Sequence, residues 1–209
     1  MTTPLPNRGL YAITDGHGAS EHKDLIGAVE RAIDGGATMI QYRDKSHDQD
    51  RRREQATALL AVCRAKKAPL IINDDVALAG IIGADGVHIG KHDPSLADAR
   101  ARLGGECIIG VSCYNTIDSA RIAQAAGADY VAFGRFFPSE TKPDAVPVTI
   151  EQLRESRQHI HVPIVAIGGI TPENAVPLID AGADLLAVIR GVFGAPDVER
   201  AAREYARLF

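Results

Sequence analysis

Short apolar segments alternate with helical patterns along the whole chain, and this alternation constrains the fold more than any other feature. The segments are apolar on both faces, as expected of strands that are covered by helices on one side and by a core on the other. We predict eight strands. They span residues 9–14, 38–44, 69–74, 86–90, 107–112, 130–134, 163–169 and 185–190.

Helical patterns occupy the stretches between these strands. Apolar residues within 56–63 recur at i, i+3, i+4 and i+7, which is the spacing of one buried helix face. Thr149 with Gln152 has the sequence of a capping box, and Thr171 before Pro172 is typical of a helix start. Glycines stand where helical patterns end and the next strand begins. The chain is therefore a series of β–α units.

Eight β–α units predict a parallel sheet that closes into a (β/α)8 TIM barrel. The alternative is an open, doubly wound sheet. The chain has 209 residues and no linker-like stretch, so we expect one domain over residues 1–209. In a barrel of this kind, function lies at the carboxyl ends of the strands.

Composition narrows the class of partner. The net charge of −4 argues against nucleic-acid binding, and no apolar run approaches the roughly 20 residues that span a bilayer. Three cysteines without a close pair argue against a disulfide framework and favour the reducing cytoplasm. We expect a cytoplasmic enzyme with small-molecule substrates. Assembly into a homo-oligomer is compatible with the sequence.

Two cations and an amide end the second predicted strand. Gln41, Arg43 and Lys45 alternate along the chain and so share one face. This arrangement predicts an anion-binding site with a hydrogen-bonding neighbour. The alternative is a strand end with solvated charges.

Aspartates follow the next two strands. Asp74 and Asp93 are expected at adjacent strand ends, where two carboxylates can share Mg²⁺ with phosphate and water. The alternative is that each caps the following helix, since Asp93 precedes a proline and Asp74 precedes a helical pattern. His88 and His92 flank a strand end and do not lie on a helix, which argues against a histidine zinc site.

Further polar groups follow the later strands. Ser112 ends the fifth strand, and the loop after the sixth contains Ser139, Thr141 and Lys142. Gly169 precedes a helix start, and the eighth strand runs into residues 188–191. The loops after strands seven and eight are a frequent phosphate site in TIM barrels. Two phosphate-binding regions, one beside a metal site, suggest two phosphorylated substrates.

Taken together, these segments resemble the thiamine-phosphate synthase family over essentially the whole chain. The segments that match the family are 11–15, 41–45, 72–75, 86–90, 110–112, 139–142, 166–170 and 188–191. The resemblance implies an Mg²⁺-dependent transferase of thiamine biosynthesis. Such an enzyme joins an aminopyrimidine-methyl diphosphate to a thiazole phosphate or its carboxylate and releases diphosphate.

The resemblance also assigns roles by position. It implies that the pyrimidine diphosphate is bound by Gln41, Tyr42, Arg43, Asp44, Lys45, Asn73, Ser112 and Lys142. It implies that the thiazole phosphate is bound by Ser139, Glu140, Thr141, Gly169, Ile189 and Arg190. Asp74 and Asp93 would bind Mg²⁺. Arg43, Lys45 and Lys142 would neutralise the leaving diphosphate together with Mg²⁺, and Ser112 is expected to be a further catalytic residue. Two positions depart from the family: Arg190 stands where many relatives have serine, and Ser139 where some have threonine.

Two other functions remain open. A thiazole tautomerase resembles this family in fold but has no use for the diphosphate-binding groups. A regulatory barrel would bind a phosphorylated ligand without turnover. Diphosphate release from a mixture of both substrates distinguishes the synthase from both alternatives.

Overall fold

A computed structural model of the chain describes residues 2–15, 24–138 and 146–209. Eight parallel strands close into a barrel in chain order. The strands are β1 (Gly9–Ile13), β2 (Ala37–Tyr42), β3 (Leu70–Asn73), β4 (Gly86–Ile89), β5 (Ile108–Tyr114), β6 (Tyr130–Gly134), β7 (Ile164–Ile167) and β8 (Leu185–Val188). Since β1 pairs with both β2 and β8, the sheet has no edge. The predicted (β/α)8 barrel is confirmed, and the open-sheet alternative is wrong.

Helices follow the strands around the outside of the barrel. They are α1 (Leu25–Asp34), α2 (Gln49–Ala65), α3 (Val76–Ile82), α4 (Leu96–Leu103), α5 (Ile117–Ala125), α6 (Ile150–Arg157), α7 (Pro172–Asp180), α8 (Arg190–Phe193) and α9 (Val198–Ala206). The predicted capping box of α6 is present between Thr149 and Gln152. None of the helices in the described ranges combines the length and apolar character needed to cross a bilayer.

The strands are buried on both faces, as the sequence predicted. Leu10, Ile40 and Ile72 pack outward against the helices. Tyr11 and Met39, from the intervening positions, pack inside the barrel. Because successive side chains of a strand point to opposite faces, each strand contributes to both layers.

Several predicted strands extend past the observed ones at their carboxyl ends. β2 ends at Tyr42, β3 at Asn73 and β7 at Ile167. Beyond β3, Asp74 has a φ of 64°, and beyond β7 Gly168 has a φ of 109°. Such angles are incompatible with extended strand geometry. The chain therefore leaves the sheet at these points and turns across the mouth of the barrel.

Candidate active site

A cavity of about 760 Å³ opens at the carboxyl ends of the strands. The predicted site residues that line it are Gln41, Arg43, Lys45, Asn73, Asp74, Asp93, Ser112, Gly169, Ile189 and Arg190. They come from the ends of six strands, so barrel closure brings them together. The predicted residues Ser139, Glu140, Thr141 and Lys142 lie outside the described residues.

The end of β2 is fixed by the end of β1. The Thr14 hydroxyl donates to the Arg43 carbonyl at 3.1 Å and accepts from the Arg43 N–H at 2.8 Å. The Arg43 guanidinium donates to the Asp15 carbonyl at 2.7 Å. Burial lowers the pKa of Arg43 below its usual value, although arginine stays charged in proteins. A buried, positively charged guanidinium is thus held in place beside the cavity.

The alternation predicted for residues 41–45 separates this segment into two sets of side chains. Gln41, Arg43 and Lys45 line the cavity, whereas Tyr42 and Asp44 do not. Tyr42 Oη lies 2.9 Å from Gln55 Oε1 on α2. Tyr42 and Asp44 therefore support the turn from its outer side.

Asp44 holds the loop between β2 and α2. Its carboxylate accepts from the Ser46 N–H at 2.7 Å and from the Arg51 guanidinium at 2.8 Å. Burial acts to raise the pKa of Asp44, but these hydrogen bonds outweigh burial and hold the pKa below its ordinary value. The ionised form of Asp44 is therefore the form that the fold stabilises.

The two aspartates predicted to bind metal are in contact. Asp74 forms an ion pair with Lys45 and hydrogen-bonds to the Asp93 carboxyl group. Burial acts to raise the pKa of Asp74, but Lys45 outweighs it and the pKa falls. Burial and the neighbouring Asp74 charge raise the pKa of Asp93, against a hydrogen bond of 2.7 Å from the Gly90 N–H. Of the two carboxyl groups, Asp93 is thus the one whose protonated form is favoured.

Neither aspartate caps a helix. Asp75 caps α3 by accepting from the Leu78 N–H at 2.8 Å, and Ser95 caps α4 by accepting from the Asp98 N–H at 3.1 Å. The capping alternative for Asp74 and Asp93 is therefore wrong. Each true cap lies one or two residues further along the chain, after the chain has turned out of the barrel mouth.

The carboxylate pair fits a hard divalent cation. A positive charge offsets the repulsion between two adjacent carboxylates. Their oxygens are also the ligands that Mg²⁺ takes from proteins. No group of three or more histidine, cysteine, aspartate or glutamate side chains forms a metal site within residues 2–15, 24–138 and 146–209. A cation at Asp74 and Asp93 would complete its shell with substrate oxygens and water, as Mg²⁺ does.

Three residues that were not assigned to the site from the sequence lie at or below the cavity: Tyr11 and His88 line it, and Tyr130 is fully buried beneath it. Tyr11, His88 and Tyr130 form a hydrogen-bonded row between Gln41 and Ser112. The sequence contains one indication of their role: each of these three residues lies within a predicted buried strand but has a polar group at the end of its side chain. The sequence contained no indication that the three side chains meet.

The opposite side of the cavity is formed by glycine-containing turns. Gly169 has a φ of 62°, and a Cβ there would lie 2.3 Å from the Pro138 carbonyl oxygen. Ile189 caps α8, whose first residue is Arg190. The Arg190 guanidinium is half-exposed, with Nε 3.7 Å from Asp15 Oδ2. Main-chain groups at a helix start are suited to phosphate binding.

Comparison with known proteins agrees with this geometry. A sequence model of the family described as thiamine monophosphate synthase matches residues 10–192. The chain belongs to the thiamine monophosphate synthase family. A thiamine-phosphate synthase of Nitrosococcus oceani is 53% identical over 202 residues, which cover 97% of this chain and 93% of the relative. A thiamine-phosphate synthase of Thiobacillus denitrificans is 53% identical over 201 residues, covering 96% of this chain and 94% of the relative.

A solved member of the thiamine monophosphate synthase family has the same fold. The thiamine phosphate pyrophosphorylase from Pyrococcus furiosus superposes with a TM-score of 0.87 at 35% identity. The match covers 97% of this chain and 95% of that structure. The resemblance stated from the sequence is thus confirmed at the level of family and fold.

Proposed function

We propose that this protein acts as a thiamine-phosphate synthase, a transferase of thiamine biosynthesis. It transfers the 4-amino-2-methylpyrimidin-5-ylmethyl group from its diphosphate to a thiazole phosphate or its carboxylate. The products are thiamine phosphate and diphosphate, with CO₂ when the carboxylate is used. One observation carries the proposal: a single cavity joins a cluster of cations and paired carboxylates at β2–β4 to glycine-containing turns at β7 and β8. Two phosphorylated substrates would fill both sides.

Arg43, Lys45 and Asn73 would bind the diphosphate of the first substrate. The two cations lie on one face of the segment after β2, and Asn73 ends the neighbouring strand. The family resemblance adds Lys142 to this diphosphate-binding group. It also assigns Tyr42 and Asp44, which support the turn after β2 from its outer side, to the diphosphate-binding segment 41–45. Cations that are held in place before the reaction stabilise charge as it develops on a leaving group. These groups would therefore promote departure of diphosphate.

Asp74 and Asp93 would hold Mg²⁺. Bound there, Mg²⁺ would neutralise charge on the oxygens of the diphosphate. The support is the contact between the two carboxyl groups and the raised pKa of Asp93. Lys45 pairs with Asp74 and would add a second positive charge beside the metal site.

The thiazole phosphate would bind on the β7–β8 side. Gly169 leaves the backbone open to close approach, and Ile189 and Arg190 begin α8. The resemblance adds Ser139, Glu140 and Thr141. Separate binding of the two phosphorylated groups would place the thiazole nitrogen near the pyrimidine methylene carbon.

The substitution would be dissociative. The pyrimidine amino group donates electron density to the methylene carbon as the bond to diphosphate breaks, and the thiazole nitrogen then attacks. Gln41 and Ser112 would bind the pyrimidine. The contribution of the chain is electrostatic stabilisation, orientation and exclusion of water. The net charge of −4 supports a cytoplasmic biosynthetic enzyme that acts on small molecules and binds no nucleic acid.

A two-substrate assay tests the proposal. Purified protein is mixed with both substrates, with and without Mg²⁺, and diphosphate and thiamine phosphate are measured. We expect equimolar products only when both substrates and Mg²⁺ are present. Isomerisation of the thiazole alone would identify a tautomerase, and binding without products would identify a regulatory barrel. Either result would refute the synthase assignment.

A further inference from the structure

A row of five polar side chains lies at the base of the cavity, and all but the fully buried Tyr130 line it. Gln41 Nε2 lies 2.6 Å from Tyr11 Oη, which lies 2.9 Å from Tyr130 Oη. Tyr130 Oη lies 3.0 Å from His88 Nδ1, and His88 Nε2 lies 2.8 Å from Ser112 Oγ. We call these five side chains the polar row. Its two ends, Gln41 and Ser112, are the groups assigned to the pyrimidine.

The middle of the polar row is buried and tightly packed. Tyr11 is 1% exposed and Tyr130 is fully buried. The two rings meet edge to face at 5.9 Å, and the His88 ring stacks on Tyr130 at 5.5 Å. A Cβ on Gly110 would lie 1.9 Å from Tyr130 Cζ, so only glycine leaves room for this ring. The side chains have little freedom to exchange partners.

The tyrosine hydroxyls remain protonated. Burial raises the pKa of Tyr11 and of Tyr130 well above the ordinary value. Each hydroxyl therefore has one hydrogen to donate. In a row of neutral hydroxyls, a donor fixed at one end determines the direction of every hydrogen bond that follows.

The amide end supplies that fixed donor. Gln41 Nε2 can only donate, so Tyr11 accepts from it and donates to Tyr130. Tyr130 then donates to His88 Nδ1, which leaves the imidazole hydrogen on Nε2, where it is donated to Ser112. Ser112 Oγ accepts this hydrogen, so its own hydroxyl hydrogen is left for another acceptor, and Ser112 lines the cavity where a substrate can supply one.

We infer that Tyr11, Tyr130 and His88 are positioning residues that transmit the hydrogen-bond direction set by the Gln41 amide to Ser112, so that Gln41 Oε1 accepts from the pyrimidine and Ser112 Oγ donates to it. This inference rests on the proposed function. An aminopyrimidine presents an amino donor beside a ring-nitrogen acceptor, whereas the corresponding oxo-pyrimidine presents an acceptor beside an N–H donor. With the direction of the row fixed, the acceptor of Gln41 and the donor of Ser112 match the aminopyrimidine. The oxo-pyrimidine would place an acceptor against Gln41 and a donor against Ser112, and neither contact would form a hydrogen bond. The polar row therefore determines specificity for an amino over an oxo ring.

The direction of the row is measurable without substrate. Long-range ¹H–¹⁵N correlation spectra of ¹⁵N-labelled protein report the tautomer of each histidine, and His88→Gln identifies the signals of His88. We expect the hydrogen on Nε2, with Nδ1 as an acceptor. A hydrogen on Nδ1 would reverse the row and overturn the inference. This result is independent of whether the protein is a synthase.

Kinetics test whether the row acts through Ser112. Tyr130→Phe removes one hydroxyl and keeps the ring. We expect kcat/KM for the pyrimidine diphosphate to fall about tenfold, the effect of one neutral hydrogen bond, with KM for the thiazole phosphate unchanged. In a Ser112→Ala background, Tyr130→Phe should change kcat/KM by less than about twofold. Ser156→Ala, which removes a buried hydroxyl within α6, should have no effect in either background.

The outcomes separate the two proposals. Equal effects of Tyr130→Phe with and without Ser112 would mean that Tyr130 does not act through Ser112, and the inference would be wrong. Tyr11→Phe repeats the cycle if Tyr130→Phe does not fold.

Lack of turnover in the unaltered protein would instead refute the synthase assignment, while the tautomer of His88 would still decide the direction of the row. Binding, measured as competitive inhibition, excludes the electronic effect of the amino group on turnover: the oxo-pyrimidine diphosphate should bind more weakly than the amino form, and Tyr130→Phe should reduce this difference.

Discussion

Asp74 and Asp75 are adjacent in the chain, but their carboxylates bind different partners. Asp74 contacts Lys45 and Asp93 beside the cavity. Asp75 caps α3 and pairs with Arg52 at 2.9 Å. The left-handed backbone at Asp74, with a φ of 64°, turns the chain between the two residues. Neighbouring aspartates therefore have separable roles, one in the candidate site and one in the fold.

This separation provides a matched test of the metal site. Asp74→Ala and Asp93→Ala should each lower turnover by at least about a hundredfold, far more than they lower stability, because both carboxylates line the cavity. Asp75→Ala should keep turnover and lose about 0.5–2 kcal/mol of unfolding free energy, the usual cost of losing a helix cap. Turnover at saturating Mg²⁺ and urea unfolding measure the two effects. Full Mg²⁺-dependent activity in either site variant would remove that residue from the metal site.

Lys142 is predicted from the family resemblance to meet the leaving diphosphate. Lys142→Ala should lower kcat by at least about a hundredfold, because a donor aimed at developing charge is typically worth about 3–4 kcal/mol in the transition state. Thr141→Ala should act mainly on KM for the thiazole phosphate. Steady-state kinetics with each substrate varied distinguish these effects. A raised KM for the diphosphate substrate with unchanged kcat would make Lys142 a ground-state binder and contradict its role in diphosphate departure.

Arg190 departs from the serine of many relatives, and its side chain pairs with Asp15 at 3.7 Å. If main-chain groups at the start of α8 hold the thiazole phosphate, Arg190→Ser should raise KM for that substrate by less than about tenfold and leave kcat unchanged. A half-exposed charge contributes modestly because water screens it. KM and kcat with the thiazole phosphate varied provide the measurement. A large loss of kcat would instead indicate that the guanidinium stabilises the transition state.

Asp44 should contribute to stability in a pH-dependent way. Its folded pKa lies below the ordinary value of 3.8, so its contribution is present above the unfolded pKa and is lost as the pH falls through the folded pKa. Asp44→Asn should cost about 1.5–3 kcal/mol at pH 7, with the difference shrinking below pH 3.8. Urea unfolding at several pH values measures this difference.

A surface aspartate serves as the control for Asp44. Asp118 is 87% exposed and lies 3.9 Å from Arg121, so Asp118→Asn should change stability by less than about 0.5 kcal/mol at any pH. Equal, pH-independent effects of the two substitutions would show that the hydrogen bonds of Asp44 do not stabilise the fold.

Local patterns in the sequence predicted the barrel and much of its site. Strand and helix periodicity are properties of neighbouring residues, and eight repeats of one β–α unit leave few ways to close a sheet. Alternation along 41–45 correctly separated Gln41, Arg43 and Lys45 from Tyr42 and Asp44. From the sequence, Asp74 could either bind metal or cap α3. The structure excludes the cap, because the left-handed backbone at Asp74 turns the chain and Asp75 takes the cap position.

The sequence by itself favoured a closed parallel barrel over an open sheet, and it determined the alternating elements and the kinds of side chain at the strand ends. Only the tertiary structure decided which of them meet. Tyr11 and Tyr130 are 119 positions apart, yet their hydroxyls lie 2.9 Å from each other because β1 and β6 face across the closed barrel. Gly110 admits the Tyr130 ring, and β4 adds His88 to the row. Contacts of this kind depend on strand register and on how side chains pack inside the barrel, and local periodicity specifies neither.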